Sequence, residues 1–466
     1  MNPHAPCHHP SRNLLSGLLG TVIVLASALL AREPELRLAV PLLVGGTAVM
    51  VMALALALYQ GERGVVSWSP SVILGVALLL RLLFLFNPPQ LSDDIYRYLW
   101  DGSSLLRGSN PYASAPATVT PPPDLIPIHR QINHPDYVTI YPPTAQLLFA
   151  GGAATGGITG LKWVLILADL GLCLLLMLLL KQLELPVWRT VLYAWNPLPV
   201  VEIAGSGHAD GAGLTLLVGA ICLLLMEFRK TEAEGARRWP YFLSGGLLAT
   251  ASLVKLFPLL PAPLLFLLVP RSRKLLFLAG FGAAAGALLL PFLPQLTNTL
   301  ATLNAYARNW EFAGFAFSTL RRVTGSGNVA RLLLAGLLVV IVGFILLRFM
   351  KQLKEPESAV VQGRRALQSC YAVALWLLLL TPTLQPWYAL CLAAFLPFCA
   401  GPAGLILCWC VFLTYQVQIP YFILGQWLEN PSVTAALFLA PVTAFILGTL
   451  FSTPPPPDDS GHPNKG

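Results

Sequence analysis

Charge is what this sequence has least of. Only 11% of its 466 residues are Asp, Glu, Lys or Arg, and 56% are hydrophobic. Soluble domains carry about 25% charged residues. So little polar surface cannot cover a water-soluble globule, and that class is excluded. A basic nucleic-acid-binding face is missing too. The net charge of +8 comes from Lys and Arg in short loops between apolar runs, so no nucleic-acid partner is expected. A disulfide framework is also missing. Of eight cysteines, Cys173, Cys222, Cys370, Cys391, Cys399, Cys408 and Cys410 lie in or beside apolar runs, and the eighth is Cys7. The long polar loops have none, and no zinc spacing occurs.

What the chain has in abundance is apolar runs of membrane-spanning length, roughly 20 residues each. Candidate spans are 13–31, 38–59, 70–87, 143–158, 161–180, 188–203, 210–227, 240–257, 258–269, 275–293, 329–349, 366–382, 387–400, 402–416 and 432–451. Several are short, so the expected fold is an all-α polytopic transmembrane bundle of about 12–14 spans. The first run, after Arg12, exceeds the core of a secretory leader and reads as a retained helix.

Loops rich in Lys and Arg set the orientation. Four qualify: Lys181 to Arg189; Arg229, Lys230, Arg237 and Arg238; Arg271, Arg273 and Lys274; and Arg348 to Arg365. Placing them in the cytoplasm puts 88–142, 204–209, 294–328, 383–387 and 418–431 outside. One inconsistency follows, because two runs separate residue 142 from residue 181 where an odd number of crossings is needed. Gly151, Gly152, Gly156, Gly157 and Gly160 mark 143–158 as short, broken or re-entrant. The chain thus divides into N-terminal spans 1–87, a loop 88–142, a transmembrane core 143–451 with a second loop 294–328, and a tail 452–466. The Pro-rich polar tail is expected to be disordered. No convincing internal repeat is visible.

The loop after the third span opens with Ser92-Asp93-Asp94-Ile95-Tyr96-Arg97-Tyr98-Leu99-Trp100-Asp101-Gly102. Ser92 is a good N-cap, acids suit a first helical turn, and Gly108 suits its end. The rings of Tyr96, Tyr98 and Trp100 suit a helix lying in the membrane interface. Asp94 and Asp101 share a face, roughly 10 Å apart. Arg97 can pair with Asp93 or with Asp101. Adjacent carboxylates push one pKa upward, which suits a general base. A solvated helix start explains the same residues. A metal site needs closer spacing than Asp94 to Asp101 gives, so a divalent cation is left open and no other cofactor is expected.

These residues carry a resemblance. The run SDDIYRYLWDG, then Asn110-Pro111-Tyr112, HPDYVTIYPP over 134–143, YAWNPLPVVEIAGSGHADG over 193–211 and LVKLFPLLP over 253–261 resemble the GT-C superfamily of membrane glycosyltransferases. Within it they are most similar to bacterial polyprenyl-phosphate-mannose-dependent mannosyltransferases and their DUF2029 relatives. The likeness spans roughly residues 80–265. It implies transfer of one hexose, mannose by likeness, from a polyprenyl-phosphate carrier to a glycan or lipid acceptor. The reaction would run with inversion on the outer face of the cell membrane. It casts Asp93 as general base and Asp94 as its helper. Many relatives place this pair after the first span, whereas here it follows the third.

Such a reaction needs a base, cations for the carrier phosphate and a groove for its tail. Lys255 lies in an apolar stretch broken by Pro258 and Pro261, where a phosphate role competes with snorkelling. Arg308, Arg321 and Arg322 stand in the second outer loop, where positive charge is unexpected. Tyr306 and Trp310 suit sugar stacking or interface anchoring. Glu202, His208 and Asp210 surround a glycine-rich turn and are hard to explain as packing. His134, Asp136 and Tyr141 precede Pro142-Pro143, and His134 is a weaker site candidate. Arg81 is expected to snorkel outward or to pair with the acidic motif, and Asp169 to pack between helices. His8-His9 reads as tail rather than metal site. Two other classes stay open, a lipid or sugar transporter or flippase and a polymerase or ligase of lipid-linked glycans. A transporter would line a mid-membrane path with ionisable groups.

Overall fold

A computed structural model describes residues 10–228, 237–399 and 401–450. Cys7, His8-His9, Arg229, Lys230 and the tail from Ser452 lie outside them. The described chain is helical, with no strand among the described residues. Its α-helices of seven or more residues begin with α1 (Pro10–Arg32), α2 (Val40–Glu62), α3 (Pro70–Leu85), α4 (Asp94–Leu106), α5 (Pro143–Ala154) and α6 (Gly157–Gln182). Next come α7 (Asp210–Phe228), α8 (Trp239–Ser252), α9 (Ala262–Leu268), α10 (Lys274–Leu289), α11 (Leu293–Asn309) and α12 (Phe315–Thr324). The last are α13 (Gly327–Gln352), α14 (Ala359–Leu380), α15 (Pro402–Cys410), α16 (Gln418–Leu424) and α17 (Pro431–Leu450).

Seven helical stretches are long and apolar enough to cross a membrane among the described residues, so this is a multi-pass membrane protein. The sequence count of about 12–14 also included runs that fold as shorter or broken pieces. The run 188–203 is one of these. It divides into turns of 3-10, α and π helix over Val187–Gly205, because Pro197 and Pro199 interrupt it. The second long loop is largely helical, since α11 continues from α10 and α12 follows it. The two runs between residues 142 and 181 differ in length. Helix α5 has 12 residues, roughly 18 Å, against a hydrocarbon core of roughly 30 Å. It cannot cross alone, whereas α6 has 26 residues and can.

Small residues let the helices approach closely, the usual device where lipid supplies no hydrophobic drive between them. A Cβ on Gly245 of α8 would lie 2.0 Å from the Phe277 carbonyl oxygen of α10, and one on Gly280 would lie 1.8 Å from that of Phe242. On α4, a Cβ at Gly102 would meet the Phe149 carbonyl of α5 at 2.3 Å. That contact fixes the acidic helix on the core.

Buried charges tie the layers together, and they correct one expectation. Arg81 neither snorkels nor reaches the acidic motif. Its Nε donates to Asp169 at 2.7 Å, with both side chains fully buried. Its Nη1 donates to the Ala194 carbonyl at 2.5 Å, and Tyr193 donates to the other Asp169 oxygen at 2.5 Å. Asp169 lies inside α6, so the node joins α3, α6 and the broken segment after Val187. Lys162, also buried, donates to the carbonyls of Phe84 and Asn87 at 3.2 and 2.7 Å, capping the end of α3. The chain therefore leaves α3 at a fixed point, with Asn87 held seven residues before Asp94.

Removing one partner from a buried ion pair leaves an uncompensated charge and costs about 3–5 kcal/mol. Arg81→Met is expected to lose about that much, read as a lowered melting temperature in detergent. Arg81→Met combined with Asp169→Leu recovers part of the loss, because Tyr193 still lacks its acceptor.

Candidate active site

The acidic helix starts one residue later than the sequence suggests. Asp93, not Ser92, is the N-cap residue, and its carboxylate makes no capping bond. Ser92 Oγ instead accepts from the Asp94 amide at 3.3 Å. Asp93 is left exposed. Partial burial pushes its carboxyl above the ordinary 3.8, the nearby Arg37 guanidinium opposes this, and Asp94 adds to it. Arg37 comes from the turn between α1 and α2. It is gripped by both oxygens of Glu35 at 2.7 and 2.8 Å and lies 4.5 Å above the Phe422 ring.

Arg97 chooses between its two possible partners. Its Nε donates to Asp101 at 2.9 Å and its Nη1 to the Tyr137 carbonyl at 2.9 Å, with no bond to Asp93. Gln146 also donates to Asp101, at 3.4 Å, and to Thr139 Oγ1 and the Tyr141 carbonyl at 3.2 Å. Asp101 is therefore a buried strut that ties α4 to the strand-like run before α5. The rings of Tyr96, Tyr98 and Trp100 are buried in protein rather than set against lipid. Tyr98 stacks on Phe149 at 4.2 Å and meets the Tyr141 ring edge-on at 4.8 Å.

Asp94 points into an enclosed cluster and keeps 18% of its side chain exposed. Its carboxylate accepts from Asn133 Nδ2 at 3.1 Å and from the Tyr141 hydroxyl at 3.3 Å, and lies 3.8 Å from His208 Nδ1. The glycine-rich turn makes this approach. Gly207 has φ +80°, and a Cβ there would lie 2.5 Å from Ile95 of the acidic helix. Behind Asp94, His208 stacks on Trp387 with ring centres 3.9 Å apart. Its Nε2 lies 3.5 Å from Glu202, which accepts from the Tyr415 hydroxyl at 2.9 and 3.0 Å.

Lys255 completes the constellation. Its ammonium donates to Asp210 at 2.6 Å and lies 4.8 Å above the Tyr388 ring, with a third of its side chain exposed. The Tyr388 and Tyr306 hydroxyls share a hydrogen bond of 2.6 Å. Tyr306 leads to Trp310 at 5.3 Å, and Trp310 to His134 at 5.0 Å and Tyr137 at 5.8 Å. His134 has φ +50° and belongs to this aromatic border.

The structure therefore brings together Asp94, Tyr141, Glu202, His208, Asp210 and Lys255. It sets Arg97 and Asp101 in the supporting frame. Arg308 stands exposed in the last turn of α11. Arg321 does not join the cluster, because it pairs with Glu311, which Arg331 also holds at 2.9 Å. Sequence reasoning missed Asn133, Gln146, Trp387, Tyr388 and Tyr415. Trp387 and Tyr388 had one signal, the proline-punctuated Thr381-Pro382-Thr383-Leu384-Gln385-Pro386 before them. Tyr415 had none, since it lies in an apolar run. His208, Glu202 and Asp94 do not converge on one point, and among the described residues no three His, Cys, Asp or Glu frame a metal ion.

The cluster thus gathers a partly exposed carboxylate, a histidine and a lysine, bordered by aromatic rings, in a multi-pass membrane protein. Residues 18–271, more than half of the chain, match the MptA_B family, described as alpha-(1->6)-mannopyranosyltransferase, N-terminal domain. The chain belongs to that family and is, at that level, a mannosyltransferase. No curated protein matches the sequence.

The raised Asp93 carboxyl has a signed consequence. The folded state holds this proton more tightly than the unfolded chain, so the contribution is full below the ordinary 3.8 and is lost as pH rises through the folded value. Asp93→Asn is therefore expected to match the unaltered chain near pH 4 and to melt slightly higher at neutral pH, measured by thermal denaturation across that range. Arg37→Gln shifts the loss to higher pH.

Proposed function

We propose that the chain transfers a single mannosyl residue from a polyprenyl-phosphate carrier to an acceptor hydroxyl. The reaction takes place on the extracytoplasmic face of the cytoplasmic membrane, by one inverting displacement. The observation that carries this reading is one cluster that holds both a half-enclosed carboxylate, Asp94, beside His208, and a partly exposed cation, Lys255, paired with Asp210. Membership of the family supports mannose as the sugar.

In this reading Asp94 is the base, in place of Asp93. A base must lie within hydrogen-bond reach of the proton it takes, and Asp94 alone of the pair faces the cluster. The acceptor O–H bond breaks and its proton passes to Asp94. The acceptor oxygen bonds to the anomeric carbon as the bond from that carbon to the phosphate oxygen breaks. The bonding pair stays on the phosphate. Lys255 meets the growing negative charge, and the donor phosphate competes with Asp210 for its ammonium. Arg308 is the second cation candidate, being exposed. Tyr388, Tyr306, Trp310 and His134 offer faces on which sugars stack. A family description that specifies an α linkage to a 6-hydroxyl fits inversion at a β-linked donor and a primary hydroxyl acceptor.

Membranes holding the chain, incubated with radiolabelled polyprenyl-phosphate mannose, are expected to transfer label to an endogenous glycan or lipid. Asp94→Asn should lower transfer by about 10²-fold or more, the usual worth of a positioned base, and Asp93→Asn by much less. Lys255→Met should raise the donor KM. Label that crosses the membrane without transfer, or an Asp94→Asn variant as active as the unaltered chain, would overturn this reading. A cysteine placed at residue 93 should react with impermeant reagents from the extracytoplasmic side alone.

A further inference from the structure

His208 is fully buried, yet neither ring nitrogen has a hydrogen-bond partner among the described residues. Buried polar atoms without partners are rare in native proteins and costly. Both nitrogens nonetheless aim at carboxylates, Nδ1 at Asp94 across 3.8 Å and Nε2 at Glu202 across 3.5 Å. The ring cannot turn away to find others. Trp387 lies parallel to it within 19°, and the His208 amide is bonded to the Glu202 carbonyl at 2.9 Å. Glu202 is equally enclosed, with Tyr415 as its hydrogen-bond partner and no Lys or Arg in contact among the described residues.

We propose that Tyr415, Glu202 and His208 form a buried positioning chain behind Asp94, in which His208 donates its Nδ1–H to the carboxylate that takes the acceptor's proton. This rests on the reading of Asp94 as base. An enclosed carboxyl with no cation is stabilised by a proton, which it donates to Nε2. Nε2 is then the acceptor of the imidazole, and Nδ1 carries the hydrogen. Asp94 has only to move by about 1 Å to close a bond of ordinary length. Catalytic hydrogen bonds are often long before substrate arrives and tighten around it. No proton leaves the chain: the acceptor O–H breaks, the Asp94 O–H forms, and His208 keeps its hydrogen. The other groups facing the pair are Asp210 and Lys255, which satisfy each other, and on the Asp94 side Asp93, Tyr141 and Asn133. Trp387 and Tyr415 lie beyond residues 18–271, so the part of the chain outside the family match orients the base inside it.

The test measures mannosyl transfer by membranes holding the full chain, with radiolabelled polyprenyl-phosphate mannose, over a pH series and at matched protein levels. His208→Phe keeps the stack on Trp387 but removes the donor. It and Glu202→Leu are expected to lower kcat by about 10- to 100-fold, the usual loss when a supporting hydrogen bond is removed. The donor KM should change little. The acid limb of the pH profile should move to higher pH, because a hydrogen bond to the charged form of a base favours that form. Glu202→Gln retains a donor for Nε2 and should recover about tenfold over Glu202→Leu. His208→Phe with unaltered kcat and pH profile, beside an inactive Asp94→Asn, overturns the positioning chain alone. Equal losses in Glu202→Gln and Glu202→Leu overturn it too, and decide the matter if His208→Phe fails to accumulate. An active Asp94→Asn overturns the base assignment itself.

Discussion

The ion pair between Arg81 and Asp169 fixes the frame on which the site depends. Neither charge can reach water, so each is held by the other and by backbone or phenol partners. A buried pair is weak evidence for stability, because its desolvation offsets its attraction. Its value lies in geometry. It sets α3 against α6 and against the interrupted segment that ends at the glycine-rich turn. Lys162 then fixes where α3 ends. The acidic helix leaves from one end of this frame and His208 from the other, and they meet at Gly207, whose positive φ and close approach to Ile95 favour glycine.

That geometry explains what the sequence displays and what it conceals. In a chain with so few charges, Asp93-Asp94, Glu202, His208, Asp210 and Lys255 stand out without any knowledge of the fold, because an ionisable group near lipid needs a reason. Their roles were less visible. Asp93 and Asp94 are adjacent and look interchangeable, yet the helix begins between them and turns one outward and the other inward. Arg97 had two partners at equal spacing, and the groups that hold it and Asp101 in place, the Tyr137 carbonyl and Gln146, lie about 40 residues further along the chain. Arg81 and Asp169 lie 88 residues apart, so neither names the other. Tyr415 lies among apolar neighbours and reads as packing until Glu202 is found opposite it.

The path of the apolar runs was hidden for a related reason. Hydropathy measures how apolar a run is, not whether it is straight. Pro197 and Pro199, and later Pro258 and Pro261, interrupt runs that are apolar enough to cross. Freed backbone groups in such breaks are tolerated only where protein or a cavity shields them. The two breaks flank Glu202 and Lys255, so the irregular backbone and the ionisable groups are parts of one arrangement. A regular helix through either run would bring neither group to the mouth at which Asp94 opens.

The border of the site comes from the other half of the chain. Phe312 pairs through its backbone with Pro382 and Leu384, at 3.1 and 2.7 Å, which ties the segment after α11 to the segment that carries Trp387 and Tyr388. These short bonds hold Trp310 and Tyr306 beside Tyr388 although α11 buries only Thr299 and α12 only Phe317 among the described residues. A site built in this way has a rigid floor, made of Arg81, Asp101 and Gly207 contacts, and an aromatic rim joined by a few hydrogen bonds. In the proposed reaction the floor must place a proton acceptor within a fraction of an ångström, and the rim must admit a lipid-linked sugar. The buried charges on one side and the sparse contacts on the other match those two demands.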